Sequence, residues 1–131
     1  MSAGFDVVLR GGVNAAREAR QAIAAHSAAL PPSVQDDLSL LVTELVTNAV
    51  LHGGAAGDRP VEMEFLQVGS KIRVEVLDPG RDFEPPARTR NGDSDGGWGL
   101  FLVDRIAERW GVCPAPAGTC VWFEVGAGAT R

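Results

Sequence analysis

Residues 44–52 read Glu44-Leu45-Val46-Thr47-Asn48-Ala49-Val50-Leu51-His52, and they place three polar side chains, Glu44, Asn48 and His52, four residues apart in an otherwise apolar run. A four-residue step is a little more than one helical turn, so the three form a stripe along one side of a helix. Leu38, Leu40, Leu41, Val42, Leu45, Val46, Ala49, Val50 and Leu51 surround that stripe and predict a helix buried on nearly all sides. A buried helix carries a carboxylate and an amide at a cost unless something satisfies them. Both offer oxygen, the donor that Mg²⁺ takes, and Mg²⁺ commonly arrives with phosphates. Read alone, the stripe fits a solvated helix edge as well as a site.

The segments outward from this helix predict an α+β domain. Residues 4–10 alternate as a first strand and stop at Gly11-Gly12, and 14–30 form an Ala-rich amphipathic helix ended by Pro31-Pro32. Ser33 is the expected N-cap of the helix that runs to His52 and halts at Gly53-Gly54. Residues 60–68 and 71–77 alternate on either side of Gly69-Ser70, as a hairpin whose polar positions Glu62, Glu64, Lys71, Arg73 and Glu75 share one face. A loop with almost nothing to bury follows up to Gly97, then helical spacing over 98–110, and strands at about 111–115 and 119–125. Trp110 and Trp122 fall at positions expected for the core. The order implies a two-layer sandwich, a mostly antiparallel mixed sheet with helices packed on one face, in a single domain over residues 5–125 with short termini.

Composition narrows the partners. With 131 residues and a net charge of −5, the chain has enough core to fold without a metal and repels nucleic acid and anionic membranes, so neither is expected as a partner. Of the twelve basic residues only Lys71 is a lysine. Cys113 and Cys120 show no CxxC spacing and no accompanying histidines, which suggests neither zinc nor a disulfide framework. No leader-like or membrane-length apolar segment is seen, so a cytoplasmic protein is expected.

Two further segments bear on chemistry. Asp78-Pro79-Gly80 ends the second hairpin strand, where a carboxylate can accept from an exocyclic amino group such as adenine N6, and Gly80 leaves room for a flat base. The same tripeptide is also a common turn. Gly96-Gly97-Trp98-Gly99-Leu100 opens a helix with exposed amides suited to a triphosphate, although a glycine cluster there also serves as a hinge.

In this order the stripe, the Asp-Pro-Gly and the glycine cluster resemble the N box and the two G boxes of the GHKL (Bergerat-fold) ATPase superfamily, which includes gyrases, heat-shock chaperones, mismatch-repair proteins and histidine kinases. The strings ELVTNAVLHG and GGWGLFLVDRIAERWGV most resemble anti-sigma-factor serine/threonine kinases of the actinobacterial type. The resemblance implies that Asn48 holds Mg²⁺, that Glu44 acts as the base or orients the attacking hydroxyl, and that His52 closes the same box. It implies that Asp78 reads adenine with Gly80 beside it, and that Gly97, Gly99 and Leu100 form the lid end around the phosphates. Thr119, or Cys120 in its place, matches the threonine that hydrogen-bonds around the adenine-binding Asp. Arg88 or Arg90 reaches for the γ-phosphate, and Trp98 stacks near nucleotide or partner. The implied activity is that of an ATP·Mg-binding anti-sigma factor that phosphorylates an anti-anti-sigma (STAS) protein and regulates transcription, with a sigma factor as second partner and a homodimer as assembly. The alternative is an ATP-binding or nucleotide-independent regulatory binding module without phosphoryl transfer. A histidine kinase is disfavoured, because no segment is left for a dimerisation helix with a phosphoacceptor, and His26 reads as a surface residue.

Overall fold

A computed structural model of the chain describes residues 2–10, 12–52, 60–79, 100–115 and 118–127. Eight elements follow in order: β1 (Ser2–Leu9), α1 (Ala15–His26), α2 (Pro32–His52), β2 (Val61–Val68), β3 (Lys71–Pro79), α3 (Phe101–Ile106), β4 (Arg109–Ala115) and β5 (Gly118–Gly126). Among the described residues the strands make one sheet in the order β1-β2-β3-β5-β4, and each pairing is antiparallel rather than mixed. The helices lie on one face, which gives the expected two-layer α+β architecture.

Alternation explains which face they cover. Val61, Met63 and Phe65 of β2 and Ile72, Val74 and Val76 of β3 are buried, whereas Glu62, Glu64 and Leu66 between the former point away. Facing these rows, Leu38, Leu41, Val42, Leu45 and Val46 supply the buried side of α2. Each such side chain contributes roughly 1.5–3 kcal/mol relative to exposure. Ala15, Ala19 and Ile23 seat α1 beside α2, and the two alanines keep the helices close. On the solvent side Arg20 Nη1 donates to Thr43 Oγ1 at 3.1 Å, which ties α1 to α2 again. Leu40 is 42% exposed, so α2 has a solvent side that its apolar sequence does not announce.

Strand ends shift by one or two residues from the sequence expectation, and three helix boundaries differ for identifiable reasons. α1 stops at His26 instead of Leu30, because residues approaching Pro31 are driven out of helical conformation; Leu30 N bonds back to Ser27 O at 3.0 Å in the turn. α2 begins at Pro32, one residue before the expected cap Ser33. Proline suits the first helical position, where its missing N–H is no loss. The Pro31 carbonyl accepts from Val34 N and Gln35 N at 3.0 Å, and Gln35 Nε2 donates to Leu30 O at 2.8 Å. α3 ends at Ile106, not at 110, because Ala107 turns extended and Trp110 is taken into β4 opposite Phe123. Its indole still donates to Asp104 Oδ1 at 2.9 Å.

The face of the sheet away from the helices is polar and cross-linked. Arg73 bonds Glu75 at 2.8 Å and Glu124 at 3.0 Å, and its guanidinium lies 4.0 Å from the Trp122 ring centroid. Trp110 packs half-buried against the core, but Trp122 stands on this outer face, so the core expectation fails for it. One register step from Phe123 reverses the face that a strand residue occupies. Gly111 lies opposite Trp122, and a Cβ there would come within 2.9 Å of the indole.

Candidate nucleotide cleft

α2 crosses the inner face of the sheet and packs on β3, which brings the N-box helix to the strand that ends in the Asp-Pro-Gly. Asn48 is buried at 8% exposure, and its Nδ2 finds no hydrogen-bond partner among the described residues. Nearly every buried amide is satisfied, so this atom has an unused capacity to donate to a further group. Amide orientation is assigned by partners, and so the same site can present either oxygen or N–H. Glu44, one turn earlier, is half-buried, and desolvation raises its carboxyl above the ordinary value.

Asp78 is also buried, at 8% exposure, on the inner face at the end of β3. The register sets Thr119 of β5 directly opposite Asp78, while Cys120 stands opposite Leu77 and so belongs to the other face. The register thus puts the Thr119 position, and not that of Cys120, on the rung of Asp78. The adjacent inner rung pairs Val76 with Val121, two residues that sequence reading passed over. Counting back two from Asp78 would have found Val76; Val121 needed the register.

Leu100 immediately precedes α3, half-buried against the core, and its carbonyl accepts from Asp104 N at 2.9 Å. α3 in turn contacts α2, so Leu100 enters the same layer as Asn48. His52 is the last residue of α2, four residues beyond Asn48, and its side chain lies outside the described residues. Gly80, Arg88, Arg90, Gly97, Trp98 and Gly99 also lie outside them.

The donor set fits a phosphate-borne cation better than a protein cage. Among the described residues no three His, Cys, Asp or Glu side chains converge, so an ion held by the Asn48 oxygen would draw most of its ligands from phosphate and water. No helix among the described residues is long and apolar enough to cross a membrane.

Comparison with known proteins agrees with this layout. A family described as Histidine kinase-like ATPase domain matches residues 10–125. The chain is 29% identical over 113 residues to an anti-sigma F factor of Thermoanaerobacter sp. (strain X514), a match covering 79% of each chain. It is 31% identical over 85 residues to the serine-protein kinase RsbW of Listeria monocytogenes serovar 1/2a, covering 56% of this chain and 54% of that one. A solved structure of the RsbU and RsbW domains of a Mycobacterium tuberculosis protein shares the fold, with a TM-score of 0.71 at 21% identity. That match covers 94% of this chain, which spans only 32% of the solved one. The resemblance carried by the three boxes is borne out.

Proposed function

We propose, from the premise that the chain belongs to the histidine kinase-like ATPase domain family on its anti-sigma-kinase branch, that it binds ATP between α2 and the end of β3 and acts as an anti-sigma factor with serine/threonine kinase activity. Its substrate in this reading is an anti-anti-sigma protein of the STAS kind, its second partner a sigma factor, its assembly a homodimer and its location the cytoplasm. The observation that carries the reading is the buried Asn48 amide with an unused polar atom, on the helix that packs against the strand ending in buried Asp78. An unsatisfied buried polar group costs roughly 1–3 kcal/mol, which a bound phosphate or metal shell would remove.

The roles follow from chemistry. Asp78 accepts from the adenine amino group, a bond that guanine with its carbonyl cannot make, and Val76 and Val121 offer the base an apolar wall. The Asn48 oxygen holds Mg²⁺, which when bound neutralises triphosphate charge. Glu44 receives the proton of the attacking Ser or Thr hydroxyl; desolvation makes it a better base than an exposed carboxylate. Gly80, His52, Gly97, Gly99 and Leu100 complete the base and phosphate sides as the family resemblance implies, with Thr119 opposite Asp78 in register, Arg88 or Arg90 reaching from the loop for the γ-phosphate and Trp98 next to the lid.

Incubation with labelled ATP, Mg²⁺ and candidate STAS proteins tests the reading. Label on a Ser or Thr of one partner is the expected result. Measurable ATP binding without transfer to any partner would defeat the kinase activity and leave a binding module, and no ATP binding at all would defeat the cleft.

A further inference from the structure

The sheet ends in two edges, and they are built differently. β4 contains Pro114, which has no N–H. β1 contains no proline and no lysine, and its register with β2 runs without a bulge from Ser2 opposite Val68 to Leu9 opposite Val61. Among the described residues β1 pairs with β2 alone, so every second residue turns its N–H and C=O outward with no strand to meet them. The strand is held from its helix side. The Phe5 ring stacks on Phe65 with centroids 5.0 Å apart and on His26 at 4.0 Å, and both Phe5 and Val7 remain half-buried.

On the opposite face this edge is acidic. Asp6 stands opposite Glu64 of β2, and Glu64 opposite Glu75 of β3, so three carboxylates share one rung. Arg73 bonds Glu75, but neither Asp6 nor Glu64 has an ion pair among the described residues. Like charges opposed across strands repel, and a cation arriving beside Asp6 relieves that repulsion. Val8, the next residue of β1 on this face, is 63% exposed.

We propose that the free edge of β1 docks an extended segment of a partner protein whose residues alternate between apolar and basic. Main-chain hydrogen bonds then add a further strand to the five-stranded sheet. The period of two sets its apolar residues beside Phe5 and Val7, and its Arg or Lys side chains beside Asp6 and within reach of Glu64. A second copy of this chain fits less well, because residues 2–9 of its own edge carry no cation to offer Asp6. The proposal does not depend on nucleotide binding.

The test uses the full chain and a short synthetic peptide alternating arginine with valine, with a control peptide that carries glutamate in place of arginine. Hydrogen exchange read by mass spectrometry is expected to show new protection over residues 2–9 with the arginine peptide and none with the glutamate peptide. Asp6→Lys should weaken the arginine peptide roughly tenfold in fluorescence anisotropy. Asp36→Lys, the same charge change at an exposed position of α2, should leave its affinity near that of the wild type. Asp6→Lys puts opposite charges on the Glu64 rung and is expected to fold; Asp6→Asn supplies the comparison if it does not. A wild-type chain that binds no ATP yet shows the protection would defeat the cleft and leave the edge standing. Failure of the arginine peptide to bind, protection confined to other segments, or equal weakening by Asp36→Lys would overturn the docking edge. So would protection of residues 2–9 in the free chain that rises with its own concentration, which assigns the edge to a second copy.

Discussion

At the residue scale the cleft rests on one buried amide, that of Asn48, whose Nδ2 has no partner among the described residues. Asn48→Ala is expected to weaken Mg·ATP binding at least tenfold by calorimetry while leaving thermal stability unchanged or slightly raised, since the variant also removes a buried amide with an unmatched donor. A large loss of stability would mean that Asn48 is structural. Glu44 gives a pH dependence of definite sign. Its carboxyl is raised by desolvation, so the stability it contributes is full while protonated and falls as pH rises from the ordinary carboxylate range through its folded value. Glu64 is raised in the same direction by desolvation, then by Asp6 and Glu75, against the lowering influence of Arg73. Glu44→Gln should therefore flatten the decline of denaturation midpoint over the weakly acid range, and an unchanged slope would contradict the assignment. The spacing of Glu44, Asn48 and Asp78 was visible in the sequence because polar residues interrupt apolar periodicity. Which of the Thr119 and Cys120 positions pairs with Asp78 was not, because a one-residue register shift exchanges them.

At the element scale, two glycines separate backbone cost from packing cost. Gly69 adopts φ +60° in the β2–β3 turn with open space around its Cβ position, so Gly69→Ala should cost only the left-handed conformation, about 1 kcal/mol in chemical denaturation. Gly111→Ala meets the Trp122 indole at 2.9 Å and must displace it from beneath Arg73. It should cost about 1–3 kcal/mol and change Trp fluorescence, which Gly69→Ala leaves alone. The hairpin around Gly69 was legible from alternation and turn chemistry. The ends of α1 and α3 were not: apolar spacing over 98–110 is compatible with a helix throughout, and only the pairing of Trp110 with Phe123 shows where the strand takes over.

At the scale of the whole molecule, α2 ties the sheet to the nucleotide reading, so ligand and fold should be thermodynamically linked. ATP with Mg²⁺ at a hundred times its dissociation constant should stabilise the chain by about 2.7 kcal/mol, a rise of roughly 10 °C in unfolding temperature. GTP should give little, and Asp78→Asn should shrink the difference between the two. Equal shifts from both nucleotides would remove Asp78 from base recognition. The layer order was legible from the sequence of elements; what covers which face needed the strand order β1-β2-β3-β5-β4, which places the last strand inside the sheet and its predecessor at the rim. That rim has its own consequence. Where a foreign strand would dock along β4, Pro114 presents no hydrogen to donate, so the ladder such a neighbour could build lacks a bond near the end of the strand. The outermost strand thus carries its own guard against runaway stacking of chain upon chain.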